Sequence, residues 1–280
     1  MVSWRAAPTA PPGYPAPSPR KSAAVFKKVR IAVLLLILIN VAVGTWLARV
    51  RTTSWDRTLR VAVFPIAGDG SLATAGYLSG LSREDYRDVE AFFATEARRH
   101  GLALPIPVEV RLAPRVASCP PTPPFGGSTP EVVVWSLRMR WWAWRHGEVA
   151  GPKPHVRIFA VHHDPKLRIT APHSLGIEKG QIGVVHVFAS REQAAQNQVV
   201  LAHELLHTVG ASDKYDPGTN QPRFPHGYGD PSQTPLYPQR YAEIMGGRTV
   251  LSPTRAKMPA DLEQAVIGPE TAREIGWYRR

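Results

Sequence analysis

The chain has 280 residues, with 34 Lys plus Arg against 22 Asp plus Glu, a formal net charge of +12 and a single cysteine, Cys119. A hydrophobic fraction of 44% excludes whole-chain disorder, and this length is enough for one or two domains. One Cys excludes a disulfide-stapled scaffold and any Cys-rich zinc or iron–sulfur centre.

The basic excess is unevenly placed. Residues 1–60 hold ten Lys or Arg and one acid, Asp56, a net of +9, whereas residues 61–280 hold 24 against 21, a net of +3. A nearly balanced main body argues against nucleic acid as a partner. Within the basic region, residues 8–19 are half proline and read, with the rest of 1–30, as a disordered basic tail. Ile31–Ala48 then runs eighteen residues without a charge, roughly 27 Å as a helix, close to the hydrocarbon thickness of a bilayer. Lys27, Lys28 and Arg30 precede it, Arg49 and Arg51 follow it, and Trp46 sits near one end. A cleaved signal peptide has a shorter apolar region and leader than this. The expectation is a single-pass cell-membrane anchor over 31–48 in contact with the lipid bilayer, N-terminus cytoplasmic, the remainder extracytoplasmic. Residues 49–58 read as a stem and 59–280 as one domain.

Leu59–Ile66 is rich in β-branched residues and reads as a strand. Gly68–Gly80 reads as a loop. Ser82 is placed to cap a helix running to about His100, with Tyr86, Val89, Phe93 and Ala97 at helical spacing, and Ile106–Val110 as the next strand. This is a β-α-β start with a right-handed crossover. The Pro-rich stretch 111–130 is a loop, and Thr129-Pro130-Glu131 starts a helix. The run that follows, 132–145, fits a helix or a strand, with helix the reading taken; its Trp135, Trp141, Trp142 and Trp144 read as aromatics packed on the core, with glycan stacking or lodging at a membrane interface as the competing uses. Val156–Val161 and Gly183–Phe188 are two further strands. Ser190, with Gln193 in the capping-box position, opens a long helix.

That helix contains His203-Glu204-Leu205-Leu206-His207. Residues i and i+4 share one helix face, so both imidazoles reach a single metal ion, while Glu204 is turned about 100° away and can hold a water. Val199, Val200, Leu201, Ala202, Leu205, Leu206 and Val209 make the helix apolar nearly all round, hence buried. Two His and a Glu inside such a helix are costly unless something satisfies them, and a metal does so. Gly210 permits a left-handed helix end, and Asp213 follows three residues on.

The run His203-Glu-Leu-Leu-His207-Thr-Val-Gly210-Ala-Ser-Asp213 resembles the metzincin metalloproteases, whose pattern is HExxHxxGxxH or, in the snapalysin-like branch, HExxHxxGxxD. Ile244-Met245-Gly246-Gly247 looks like the Met-containing turn of that family. The resemblance covers roughly residues 190–248. It implies an α+β domain of the zincin/metzincin type: a mixed sheet packed on a zinc-binding helix, with a C-terminal subdomain bearing the Met-turn at Met245. It further implies one catalytic Zn²⁺ held by His203, His207 and Asp213, with Glu204 as general base acting on a peptide or protein substrate. The run Asp213-Lys-Tyr-Asp216 also occurs in proteases resembling immune inhibitor A, where a downstream glutamate is the third ligand; Glu243 is the alternative by that analogy. Asp213 and Asp216 also fit an outer shell or a structural Ca²⁺ site. For the oxyanion, Tyr215, Tyr228, Tyr237 and Tyr241 are candidates. His186 belongs to a strand that, in such a fold, is the sheet edge lining the cleft, so it faces either substrate or the core. His226 is a weaker ligand candidate in a loop. The reading is therefore a membrane-anchored zinc endopeptidase, with a catalytically inactive, zinc-stabilised membrane-anchored binding protein as the alternative.

Overall fold

The computed structural model describes residues 28–36, 39, 43, 54–124, 126–168, 170, 172, 174–177 and 181–278. Two compact units divide the chain between Gly44 and Thr45. In the first, residues 28–36 are helical. Most of the expected tail and half of the expected 31–48 span lie outside the described residues. Among the described residues no helix is long and apolar enough to cross a membrane.

The second unit is a mixed α/β domain built on a five-stranded sheet. Its strands are β1 (Leu59–Ala67), β2 (Val108–Leu112), β3 (Val156–His163), β4 (Leu175–Ile177) and β5 (Ile182–Phe188), in the spatial order β2-β1-β3-β5-β4. The first four in that order are parallel, and β4 runs antiparallel at the edge. Strands of a parallel sheet are covered on both faces, which is why β1 and β3 are nearly continuous apolar runs. Alternate residues of β1 serve two cores. Val61 and Val63 face one side with Ile158, Ala160, Val185 and Val187. Ala62, Phe64 and Ile66 face the other with Phe159, Val161 and Val184.

On the first side lie α2 (Arg87–Arg99), entered through a 3₁₀ turn at Arg83–Tyr86, and α4 (Ala194–Thr208). Phe93 and Ala97 of α2 and Leu205 and Leu206 of α4 are fully buried there. On the second side α3 (Thr129–His146) inserts Met139, Trp142 and Ala143, with Trp142 edge-on to Phe159 at a centroid distance of 4.7 Å. Each such large apolar side chain contributes about 1.5–3 kcal/mol of burial. Short elements complete the C-terminal part: β6 (Ala242–Glu243), β7 (Thr249–Ser252), β8 (Arg255–Lys257), β9 (Ala265–Val266) and α5 (Pro269–Glu274).

Several sequence expectations are corrected. Gly68–Gly80 is not all loop: α1 (Leu72–Ser79) is capped by Ser71, whose Oγ accepts from the Thr74 N–H at 3.0 Å. The long helix is not capped by Ser190; α4 begins at Ala194 with Gln193 as N-cap and no side-chain cap bond. Strand 182–188 is not the sheet edge, because Leu175–Ile177 pairs with Ile182–Val184 outside it. Of the residues read as a stem, 54–58 are described, and Trp55 among them joins the core. Trp55 is buried, donates from Nε1 to the Ile275 carbonyl at 2.6 Å and meets Trp277 edge-on at 5.7 Å.

Candidate metal centre

The site is assembled from the end of α4, the loop that follows it, and the turn at Ile244–Gly247. α4 stops at the glycine. Gly210 has φ +107, its N–H donates to the His207 carbonyl at 3.2 Å, and the Ala211 N–H donates to Leu206 at 3.0 Å. This six-to-one and five-to-two pair is a Schellman motif with its left-handed residue at Gly210. It turns the chain back beside the helix, so that Asp213 returns to the face carrying the two histidines.

There the side-chain atoms converge. His203 Nε2 and His207 Nε2 are 3.1 Å apart, and Asp213 Oδ1 lies 3.3 Å from the first and 3.1 Å from the second. Ligand atoms on a tetrahedral ion with bonds of 2.0–2.2 Å are separated by about 3.3–3.6 Å. The triangle therefore fits one metal ion with a slight outward relaxation, and among the described residues these three form the one group able to hold it. Asp213 is the most exposed member at 42%, against 12% and 18% for the histidines, so the open side of the triangle faces solvent.

Each imidazole is oriented by a backbone carbonyl. His203 Nδ1 lies 2.9 Å from the Ile244 carbonyl oxygen and His207 Nδ1 lies 2.8 Å from that of Ala211. A carbonyl can only accept, so both Nδ1 atoms carry hydrogen and both Nε2 atoms are the ones presented to a metal. Ile244 belongs to the turn below. Met245 is fully buried, its carbonyl accepts from the Lys214 N–H at 2.9 Å, and the Gly246 and Gly247 N–H groups donate to Glu243 at 2.9 and 3.0 Å. A Cβ at Gly246 would stand 2.4 Å from the Gly227 carbonyl oxygen, so this turn accepts no side chain there. The ligand loop is also clamped from its far side. Lys214, itself buried, reaches Glu274 at 2.7 Å, and Ser212 donates to the same carboxylate from both N–H and hydroxyl.

Protonation follows from this geometry. Burial alone depresses His203, but the Asp213 hydrogen bond, the Glu204 charge and the Ile244 carbonyl outweigh it and push its pKa up to about 9. Burial opposes ionisation of Asp213, yet hydrogen bonds from both histidines hold it well below the usual carboxylate range. Tyr215 is raised to about 12 by burial and by the Asp213 and Glu204 carboxylates, so it is a neutral phenol beside the site. Its ring centroid is 6.4 Å from that of His203. Glu204 is buried on the same helix.

The other candidates fall elsewhere. Glu243 is fully buried, and its carboxylate accepts from the Gly246 N–H (2.7 Å), the Gly268 N–H (3.0 Å) and the Thr271 hydroxyl (2.7 Å). Burial raises its pKa, while those bonds and the Lys214 charge pull it down. It ties the turn to α5 and takes no part in the metal group. Asp216 accepts from Gly218 and Thr219 in a local turn. Tyr241 stacks under Arg240 and lines a separate groove of about 990 Å³ beside α2, and Tyr228 and Tyr237 share a hydroxyl contact at 3.2 Å. His186 Nδ1 is 3.0 Å from His163 Nε2, and burial lowers both, His186 to about 4. His162 points to the opposite face from His163, next to Tyr77. Of the tyrosines, then, Tyr215 is the one at the metal group.

Sequence reasoning did not find the cavity next to the site. It has a volume of about 160 Å³ and is walled by Val199, Val200 and His203 of α4, Ile244 of the turn, Met258 and Arg248. Arg248 is partly buried and has no ion-pair or hydrogen-bond partner among the described residues. Its signal in the sequence is only its place two residues beyond Gly246. Neither protein-family models nor curated proteins match this sequence.

Proposed function

We propose that the chain is a zinc-dependent endopeptidase of the metzincin type, anchored to a membrane through its basic-flanked apolar segment with the catalytic domain extracytoplasmic. The single observation that carries this reading is the convergence of His203 Nε2, His207 Nε2 and Asp213 Oδ1 around one point open to solvent. The nitrogen and carboxylate donor set suits Zn²⁺, and the turn at Met245 beneath it matches the family pattern. When bound, the ion supplies Lewis acidity toward a carbonyl and makes water a nucleophile near neutral pH. Glu204, on the same helix, takes the proton from the attacking water and delivers it to the leaving amine. Tyr215, a neutral phenol with a hydrogen to donate, stabilises the negative charge developing on the carbonyl oxygen. His203 and His207 stay oriented through the Ile244 and Ala211 carbonyls. The cavity behind His203 receives a substrate side chain.

The test is Glu204→Gln on the purified chain with peptide substrates. The variant keeps one metal per chain and loses hydrolysis by about 10²–10⁴-fold. Full activity in that variant removes Glu204 from the reaction. Metal binding without any chelator-sensitive hydrolysis in the parent chain assigns the domain to the zinc-stabilised binding protein instead.

A further inference from the structure

α3 covers the sheet with one side and leaves a second apolar side bare. Toward the sheet it presents Met139, Trp142 and Ala143, all buried. On the opposite side Val133, Leu137, Trp141 and Trp144 follow at spacings of four, four and three, a single stripe about 16 Å long on a helix. Their exposures are 52%, 63%, 62% and 75%. Scattered exposed apolar residues are ordinary, but a continuous stripe of two Trp, a Leu and a Val marks an interaction face.

The charges around the stripe identify its partner. At about 100° per residue Arg140 falls on one flank, and Arg138 and Arg145 fall on the other. None of the three has an ion-pair partner among the described residues. The one acid of α3, Glu131, is engaged at the helix start, accepting from the Ser128 N–H and hydroxyl at 2.7 and 2.8 Å. An indole-rich apolar stripe with one guanidinium group on one flank and two on the other is complementary to a bilayer surface: acyl chains for the stripe, anionic headgroups for the flanks. Indoles at the headgroup level with arginines reaching to phosphate are the usual arrangement at a membrane interface.

We propose that the Val133–Trp144 stripe of α3, flanked by Arg138, Arg140 and Arg145, docks the domain flat onto an anionic lipid surface. The proposal stands independently of any peptidase chemistry, because none of these residues belongs to the metal group.

The experiment uses the full chain with Cys119→Ser, and one reporter cysteine carrying an environment-sensitive fluorophore, Leu137→Cys on the stripe or Leu72→Cys on α1 as control; Leu72 is 92% exposed. Each protein is reconstituted with vesicles of phosphatidylcholine alone or with added phosphatidylglycerol, and fluorescence is recorded with and without nitroxide-labelled lipid. In the phosphatidylglycerol vesicles the residue 137 probe shifts to the blue and is quenched by the nitroxide lipid, while the residue 72 probe stays water-like. Replacing the three arginines by Gln lowers the docked-to-undocked ratio on the order of 100-fold, at about fivefold per cation. Trp141→Ser with Trp144→Ser also abolishes the shift. A residue 137 probe that remains water-exposed on anionic vesicles overturns the proposal. So does shielding that tracks protein concentration and ignores lipid charge, which assigns the stripe to a second copy of the chain.

Discussion

Replacing Asp213 by Asn separates the charge of the third ligand from its shape, and it changes how metal binding depends on pH. With no metal bound, a proton on His203 Nε2 is held toward Asp213. His203 donates from Nδ1 to Ile244 and from Nε2 toward Asp213, and its pKa stands at about 9 against an ordinary value near 6.5. A metal must displace that proton, so between about pH 6.5 and 9 the apparent affinity should rise close to tenfold per pH unit and then level off. Calorimetry at pH 7.5 in two buffers of different ionisation enthalpy should count close to one proton released from this site. The same shift has a stability consequence with a definite sign. A pKa raised on folding contributes stability fully present below about 6.5 and lost as pH rises through about 9. The 2.5-unit difference corresponds to roughly 3 kcal/mol for this largely buried ring. Thermal melts of the metal-free chain should therefore fall between pH 6.5 and 9, and those of the metal-loaded chain should lack that decline. In Asp213→Asn the main support for the His203 proton is gone, burial dominates, and the affinity plateau moves to lower pH. A flat affinity between pH 7 and 8.5 in the parent chain, with no proton released, refutes this reasoning.

Two further predictions follow from neighbouring contacts. Glu243→Ala leaves one metal per chain but strips acceptors from the Gly246 N–H, the Gly268 N–H and the Thr271 hydroxyl, lowering stability by about 3 kcal/mol or more; Asp213→Ala loses the metal, and the reverse pattern in metal analysis makes Glu243 the ligand. If the cavity takes a substrate side chain, Arg248, partly buried and with no ion-pair partner among the described residues, should favour an acidic one, so Arg248→Ala should lower the kcat/KM ratio of glutamate- to leucine-bearing peptides by about 10–100-fold; an unchanged ratio rules out that contact.

What could be read from the sequence was what local spacing determines. The i and i+4 histidines need only a helix, and Gly210 needs only the three-residue step to Asp213, so the three residues that converge were named together from a run of eleven. The β1-α-β2 start followed from local patterning for the same reason, and the start of α3 from Pro130 in its first turn, whereas the body of α3 fitted helix and strand alike. The Gly68–Gly80 segment misled because its glycines mask a short helix that buries only Thr74 and Leu78. The sheet edge misled because β4 is three residues long, below what alternation can reveal, and its pairing with Ile182–Val184 decides which strand is outermost.

Glu243 shows most clearly why the rest was hidden. In the sequence it is an acid two residues before Met245, and an acid near a metal site reads as a ligand. In the fold its three partners include Gly268 and Thr271, 25 and 28 residues away, and they convert it into the tie that fixes the turn whose Ile244 carbonyl orients His203. Those hydrogen bonds are the informative feature, since a fully buried carboxylate survives only where donors surround it. The four tryptophans of α3 pose the same problem in another form. Helical phase divides them, with Trp142 against Phe159 and Trp141 and Trp144 in solvent, but only the position of the sheet decides which side is the covered one. A residue type therefore announces the chemistry it can perform, and the long-range contacts decide whether that chemistry is directed at a metal, at the protein's own backbone or at a surface outside it.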